Sequence, residues 1–165
     1  MRVPRAALHP EPGWTEAHPF PFSAARRTFE AEGRGAGLLT IRYFHRGPDG
    51  ALVAKVWFGP DSEGPPGHVH GGGLLTALDE ALGAACWMLG YPVMTARLNT
   101  VFRRPVPLGT TLLIETTVAP VRAKALSVTG RLMDREGRIY VEGTGTFIRL
   151  SPAKIKQIFG IPTPA

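Results

Sequence analysis

The sequence of 165 residues has a single cysteine and no long hydrophobic run. Cys86 cannot form a disulfide within the chain, and because it lies in an apolar segment we interpret it as a small buried residue. The longest uncharged apolar run, residues 81–94, is too short to span a bilayer, and the first residues lack the apolar core of a secretory signal. These absences predict a cytoplasmic protein without a membrane partner.

Side-chain amides are also scarce, since Asn99 and Gln157 are the only asparagine and glutamine. Such depletion of thermolabile residues is typical of thermophilic proteins. GC-rich codon usage, which favours Arg, Ala, Gly and Pro, produces the same bias, so both explanations stay open.

Positive charge is in excess but dispersed along the chain. The formal net charge of +6 is compatible with nucleic acid, a membrane surface or an anionic small molecule as partner. No short block is dominated by lysine and arginine, and aromatic residues do not alternate with them as on a nucleic-acid-binding surface. We therefore predict an anionic small-molecule ligand and no nucleic acid.

Length and composition predict one globular domain with flanking segments. Five prolines within the first 22 residues predict an extended arm without regular structure. A short helix capped by Ser23 is expected over residues 24–33, and a second one in the tail after Pro152. The divisions are an N-terminal arm, a main domain and a C-terminal tail, at residues 1–36, 37–152 and 153–165.

The main domain has one helical pattern among several strand-forming ones. Residues 37–46 and 51–59 flank the turn sequence GPDG and are expected to pair as an antiparallel hairpin. A helix is expected from about Gly72 to Leu89, and four more strand-forming segments follow Val93. This order predicts an α+β domain with one long helix packed on an antiparallel sheet of about six strands. The helix has apolar residues at spacings of three and four: Leu74, Leu75, Leu78, Ala81, Leu82, Ala85 and Leu89.

The segment GPPGHVHGGGLLTALDEALGAAC, residues 64–86, concentrates the chemically active residues. His68 and His70 alternate as on a strand, so both rings could reach one metal ion, but no carboxylate or further histidine follows at ligand spacing. The three glycines lack the lysine and the spacing of a phosphate-binding loop. We therefore predict neither a metal site nor a nucleotide loop.

Glycines at a helix start have two remaining interpretations. They can permit a tight turn and close packing, or they can expose backbone N–H groups that polarise a negatively charged oxygen, as in an oxyanion hole. Asp79 favours the second interpretation, because it shares a helical stripe with the small residues Gly72, Thr76 and Gly83. Glu80 fits a solvent-exposed acid better.

The spacing between His70 and Asp79 predicts a dimer. Nine residues on a helix place two side chains half a turn out of phase and about 13 Å apart. Both therefore cannot act on one atom within a single chain, and a catalytic site that uses both has to be shared between two chains. The second face of the helix would be covered in the same way.

These residues resemble a known family. The stretch GPPGHVHGGGLLTALDEA, with TARLNTVFRRPVPLGTTLLIE and GRIYVEGTGTFIRLSP, is similar to the phenylacetate-pathway-type (PaaI-like) hotdog acyl-CoA thioesterases, in the branch with Gly-Pro-Pro before His-Gly-Gly. The resemblance covers residues 37–152. It implies a hotdog fold, homodimers that often pair into tetramers, and hydrolysis of acyl-CoA thioesters to acid and coenzyme A without a cofactor.

The resemblance also implies roles for individual residues. Asp79 matches the acid that acts as nucleophile or as general base on water. Gly71 matches the backbone donor to the thioester carbonyl, with Gly72 its neighbour, and His70 matches the residue that orients the substrate or the loop. Thr95 matches a hydroxyl, from the partner-side strand, that positions the attacking water.

Further positions bear on how the thioester and the coenzyme A phosphates would be bound. Gly64 stands where many relatives have an asparagine or glutamine, so a side chain there has no part in polarising the carbonyl; the Gly-Pro-Pro branch shares this departure. Candidates for the coenzyme A phosphates are basic residues at two places in the chain: Arg103, Arg104, Arg122 and Lys124.

Two rival functions differ from thioester hydrolysis in what they require of these residues. A non-catalytic acyl-CoA binding or sensing protein would keep the fold and the ligand without hydrolysis. A hydratase would need an Asp–His pair within one chain, which the spacing disfavours. We expect pocket length to depend on packing around Trp57, Trp87 and Phe102, and the acyl group itself is not predicted.

Overall fold

The computed structural model describes residues 8–21, 37–119 and 124–160. In this part of the chain, neither helix is both long and apolar enough to cross a membrane. The described residues form seven strands and two helices, in the order β1 (Thr15–Ala17), β2 (Leu39–Arg46), β3 (Ala51–Phe58), α1 (Gly71–Met88), β4 (Val93–Phe102), β5 (Thr111–Val118), β6 (Ala125–Met133), β7 (Ile139–Arg149) and α2 (Pro152–Phe159).

The strands form one antiparallel sheet in the order β1-β2-β3-β5-β6-β7-β4. The predicted hairpin is confirmed: β2 and β3 pair from Leu39 with Phe58 to Arg46 with Ala51, and Gly50 adopts the left-handed conformation that the turn requires. β4 follows the helix in sequence but lies at the far edge, where β7 is its neighbour. The ten-residue strand β4 therefore forms one edge of the sheet.

Helix α1 packs very closely on this sheet. A Cβ atom at Gly130 would lie 2.7 Å from a methyl group of Leu82, and one at Gly143 would lie 2.4 Å from a methyl group of Leu78. Glycines on β6 and β7 therefore let the two leucines approach the strand backbone. Cys86 is fully buried in the same core, and burial raises the pKa of its thiol to about 11, which confirms its interpretation as a structural residue.

The N-terminal arm differs from expectation. The prediction that it has no regular structure is wrong for Thr15–Ala17, which pairs with the outer edge of β2. Backbone pairing at an open sheet edge does not need a strong strand pattern, so the prolines at 12 and 19 only limit its length. The predicted helix over residues 24–33 lies outside the described residues.

Two residues of the predicted apolar helix face are exposed. Leu75 has 38% and Leu89 57% of its surface accessible, whereas the other five predicted positions are buried. The sheet covers one side of α1, and these two side chains fall at its border. The helix thus has apolar surface that the described chain leaves uncovered.

A buried lysine attaches the arm to the sheet. Lys55, in the middle of β3, is 1% exposed, and its ammonium group donates to the carbonyl oxygen of His9 at 2.6 Å and to the carboxylate of Glu11 at 2.5 Å. Arg135 donates to the same carboxylate at 2.8 Å. The hydrogen bond from Lys55, more than any other effect, lowers the pKa of Glu11 below its usual value.

We expect Glu11→Gln to lower the free energy of unfolding by about 1.5–3 kcal/mol at neutral pH, because a charge-assisted bond to a buried ammonium is lost. Since the pKa of Glu11 is lowered on folding, wild type keeps this advantage above the unfolded pKa of about 4.5 and loses it as the pH falls through the folded value. Urea denaturation of both proteins between pH 7 and pH 3 measures the difference. A constant difference across this range would contradict the assignment.

Candidate active site

His70 forms the N-cap of helix α1. Its backbone is extended, with φ −63° and ψ 140°, and its Nδ1 accepts a hydrogen bond from the N–H of Gly72 at 2.9 Å. Its carbonyl oxygen accepts from Gly73 at 2.9 Å and from Leu74 at 3.3 Å, and its own N–H donates to Ser62 at 2.7 Å. Because Nδ1 accepts, the ring proton lies on Nε2. His70 therefore fixes the start of the helix.

The N–H group of Gly71 differs in its hydrogen bonding from the three N–H groups that follow it. The three N–H groups that follow it all have acceptors, whereas that of Gly71 has none among the described residues. It lies at the positive end of α1, where an oxygen with negative charge is stabilised. The nearest side chain to its α-carbon is the ring of Phe102, 3.5 Å from where a Cβ would be. The N–H of Gly71, the predicted donor, is thus available to a ligand, whereas that of its neighbour Gly72 is engaged by His70.

Asp79 and Thr95 come together within one chain. Asp79 is half-buried on α1, and the hydroxyl of Thr95 on β4 donates to its Oδ1 at 2.8 Å. The pairing of β4 with β7 shifts register between Thr95 and Arg97. Among the described residues, no group donates a hydrogen bond to Oδ2 of Asp79. One carboxylate oxygen is therefore held in place, and the other is free to accept a proton or to attack.

A cleft of about 210 Å³ lies beside this carboxylate. Its walls come from α1, β4, β7, α2 and the N-terminal arm, and most of them are apolar. The lining residues are Phe20, Asp79, Glu80, Gly83, Trp87, Val93, Met94, Thr95, Phe147 and Phe159. A larger concavity of about 720 Å³ lies among β4 to β7, and none of the predicted site residues lines it. The cleft is therefore the better candidate for substrate.

Most of the aromatic lining was not expected from the sequence. Of the three residues predicted to set pocket length, Trp87 lines the cleft. Trp57 is instead fully buried elsewhere, and Phe102 lies against Gly71. Phe20 and Phe159 come from segments far apart in sequence, and no local spacing pattern links them to Asp79.

Within one chain, the start of helix α1 and Asp79 are distant in space. They are separated along α1 by about 13 Å. Strand β4 connects the two regions, because Thr95 contacts Asp79 near its beginning and Phe102 contacts Gly71 at its end. A single protomer thus carries two candidate half-sites at opposite ends of one edge strand.

The described basic residues predicted to bind the coenzyme A phosphates also lie near the two ends of β4. Arg103 and Arg104 follow Phe102, near the helix start; Arg103 pairs with Glu142 at 2.8 Å, and Arg104 donates to the carbonyl oxygen of Ile139 at 2.5 Å. Lys124 is exposed beside Arg149, at the other end of β4. Arg122 lies outside the described residues.

The rings of His68 and His70 have separate contacts within the chain. Nδ1 of His68 lies 2.9 Å from the carbonyl oxygen of Pro66, and His70 caps the helix. Within the described ranges, no three histidine, cysteine or acidic side chains are grouped to hold an ion.

Part of the chain is similar in sequence to known proteins. Residues 66–141 match the family model described as the thioesterase superfamily. Acyl-coenzyme A thioesterase THEM4 of Bos taurus is 42% identical over 98 residues, which are 58% of this chain and 40% of that protein. The Xenopus laevis protein of the same name is 31% identical over 110 residues, 66% of this chain and 50% of that protein. The chain spans about half the length of the curated relatives it matches.

Solved structures share the architecture. One crystal structure, of a thioesterase superfamily protein, is 31% identical with a TM-score of 0.61, covering 66% of this chain and 53% of that chain. A Bacillus halodurans protein solved with CoA is 28% identical with a TM-score of 0.57, covering 63% and 70%. The E. coli PaaI protein, at 19% identity and a TM-score of 0.57 over 61% and 72%, is alike in fold. The predicted hotdog fold is confirmed.

We expect His70→Ala to lower the free energy of unfolding by about 1 kcal/mol, because the N–H of Gly72 loses its capping acceptor. His70→Asn should recover most of this loss, since asparagine is among the best N-cap residues. Urea denaturation of the two variants measures both effects. Equal destabilisation by alanine and asparagine would show that the ring acts through packing and not as a cap.

Proposed function

This chain carries a domain of the thioesterase superfamily, and on that premise we propose that it hydrolyses acyl-CoA thioesters to the free acid and coenzyme A. The observation that carries the proposal is the carboxylate of Asp79, held by Thr95 at 2.8 Å at the side of an apolar cleft. The names of the curated relatives support the same substrate class. We place this reaction in the cytoplasm and without a cofactor.

The mechanism follows from the two half-sites. The thioester carbonyl oxygen accepts a hydrogen bond from the N–H of Gly71, which stabilises the negative charge that develops there. Asp79 takes a proton from water through Oδ2 while the water oxygen attacks the carbonyl carbon; in the alternative route, Oδ2 attacks that carbon itself and water then hydrolyses the anhydride. The bond to sulfur breaks, and the departing thiolate takes up a proton.

The site is completed by a second copy of the chain. Strand β4 lies at the edge of the sheet, and Met94, Val101 and Phe102 on it are each about half exposed. Antiparallel pairing of two such edges about a two-fold axis would satisfy their backbone groups and cover this apolar surface. It would also bring Thr95 of one copy toward Phe102 of the other. Gly71 of one chain would then face Asp79 of its partner, and dimers of this kind could pair again.

We expect wild type to release free thiol from acyl-CoAs, and Asp79→Asn to lower kcat/KM by about 10²-fold or more, because the amide cannot accept the proton. Glu136→Gln, an acid-to-amide change in an exposed turn, is the matched control and should keep the wild-type rate. A thiol-reactive dye follows the reaction over short, long and aryl acyl groups.

The outcomes of this assay separate the functions. If wild type binds acyl-CoA but hydrolyses none of the panel, the chain is a binding or sensing protein. If Asp79→Asn keeps full rate while Glu80→Gln loses it, the catalytic acid is the neighbouring residue.

A shared site predicts complementation between two inactive variants. Gly71→Pro removes the N–H at a position where proline is favoured, and the extended backbone of His70 is compatible with a following proline. A heterodimer of Gly71→Pro with Asp79→Asn would have one intact site, so we expect about half the wild-type activity per dimer. Two affinity tags isolate the heterodimer after co-expression.

The controls make this result specific. Gly71→Ala keeps the N–H, and its Cβ would make an ordinary 3.5 Å contact with Phe102, so it should stay active. A heterodimer as inactive as its two parents would place the whole site within one chain.

A further inference from the structure

Three aromatic rings in the lining of the cleft beside Asp79 contact one another. We propose that Phe20, Trp87 and Phe159, which we call the aromatic collar, restrict the substrate to acyl groups about the size of a single ring and exclude long chains. This inference rests on the proposed thioesterase function and adds the substrate class to it.

Helix α1 sets the direction of the cleft. Asp79, Gly83 and Trp87 follow one another at intervals of four residues, so they form one stripe along the helix. Gly83 has no side chain, and a Cβ there would lie 3.7 Å from the ring of Phe147. Trp87 therefore lies about two turns beyond the carboxylate on this stripe, and its side chain leans back toward Gly83, since helical side chains lean toward the N-terminus.

The collar is held together by ring contacts. Trp87 packs edge-to-face against Phe159, with centroids 5.5 Å apart and planes at 84°, and against Phe20 at 6.3 Å and 67°. Phe20 packs in turn on Tyr43 of β2 at 6.2 Å and 83°. Rings from the arm, α1 and α2 thus brace one another, and the end of the cleft is fixed by packing and not by one mobile side chain.

The size of the cleft agrees with a small acyl group. A cavity of about 150 Å³ lined by apolar side chains holds one benzene molecule. The cleft has about 210 Å³. It therefore has room for a benzoyl or hexanoyl group, whose carbonyl would remain beside Asp79. A palmitoyl chain would have to displace the collar or extend into solvent.

The test compares kcat/KM for hexanoyl-, benzoyl- and palmitoyl-CoA by thiol release. For wild type we expect both small substrates to exceed palmitoyl-CoA by about tenfold or more. Trp87→Leu and Phe159→Ala open the collar and should each reduce this ratio by about tenfold. Phe159 lies near the end of a terminal helix, so its variant is expected to fold even if the tryptophan variant does not.

A matched tryptophan provides the control. Trp14 packs against Phe44, with ring centroids 6.0 Å apart, and does not line the cleft. Trp14→Leu should leave the ratio of small to long substrates unchanged. Equal efficiency of wild type on hexanoyl- and palmitoyl-CoA, or wild-type ratios in both collar variants, would overturn the proposal.

Binding separates this inference from the proposed function. If wild type releases no thiol from any ester, the thioesterase proposal fails. Calorimetric dissociation constants of the same esters for Asp79→Asn, with and without Phe159→Ala, then still test the collar. A tenfold preference for hexanoyl-CoA that the second substitution removes supports it, and equal affinities for both esters contradict it.

Discussion

The close packing of α1 on the sheet is the constraint on which the two candidate half-sites depend. Leu78 and Leu82 rest on the backbone at Gly143 and Gly130, where any side chain would push the helix away. Asp79 follows Leu78 directly, so this contact also fixes how far its carboxylate lies from β4. A helix displaced by the width of one methyl group would separate Asp79 from Thr95, since their hydrogen bond of 2.8 Å tolerates little change.

The same packing leaves β4 with two different ends. Its beginning carries Thr95, which donates to the carboxylate of Asp79, and its end carries Phe102, whose ring lies against Gly71. An edge strand of ten residues with half-exposed apolar side chains is a liability for an isolated chain. Pairing it with a second copy would remove the liability and join complementary half-sites in one step. Stability of the dimer and assembly of the site would then have one physical cause.

The sequence predicted those features that repeat locally. The spacing of apolar residues placed α1 within one residue of its observed bounds, and GPDG marked the hairpin between β2 and β3. The small residues that share a helical stripe with Asp79 were readable from spacing alone, and one of them, Gly83, lines the cleft beside the carboxylate.

Features that depend on distant contacts could not be predicted in this way. Residues 15–17 form a strand only because β2 has an open edge, and the sequence of the arm itself favours no strand. The engagement of the Gly72 N–H by the ring of His70 depends on a side-chain rotamer, so residue spacing could not separate Gly72 from Gly71 as a donor, and only the family resemblance named Gly71. The lysine in the middle of β3 is compatible with burial only because Glu11 and His9 reach it from another part of the chain.

The aromatic collar and the residues proposed for catalysis lie in different parts of the sequence. Gly71, Asp79 and Thr95 all lie within residues 66–141, the segment that matches the superfamily. Phe20 and Phe159 lie outside it, on the arm and on α2. The shared segment thus carries the groups that we propose to act on the thioester, whereas the flanks provide two of the three rings that we propose to limit the acyl group. A change in the flanks could alter the size of the acyl group without disturbing the hydrogen bond between Thr95 and Asp79. In this chain, selectivity and catalysis would therefore be separable by sequence position as well as in space.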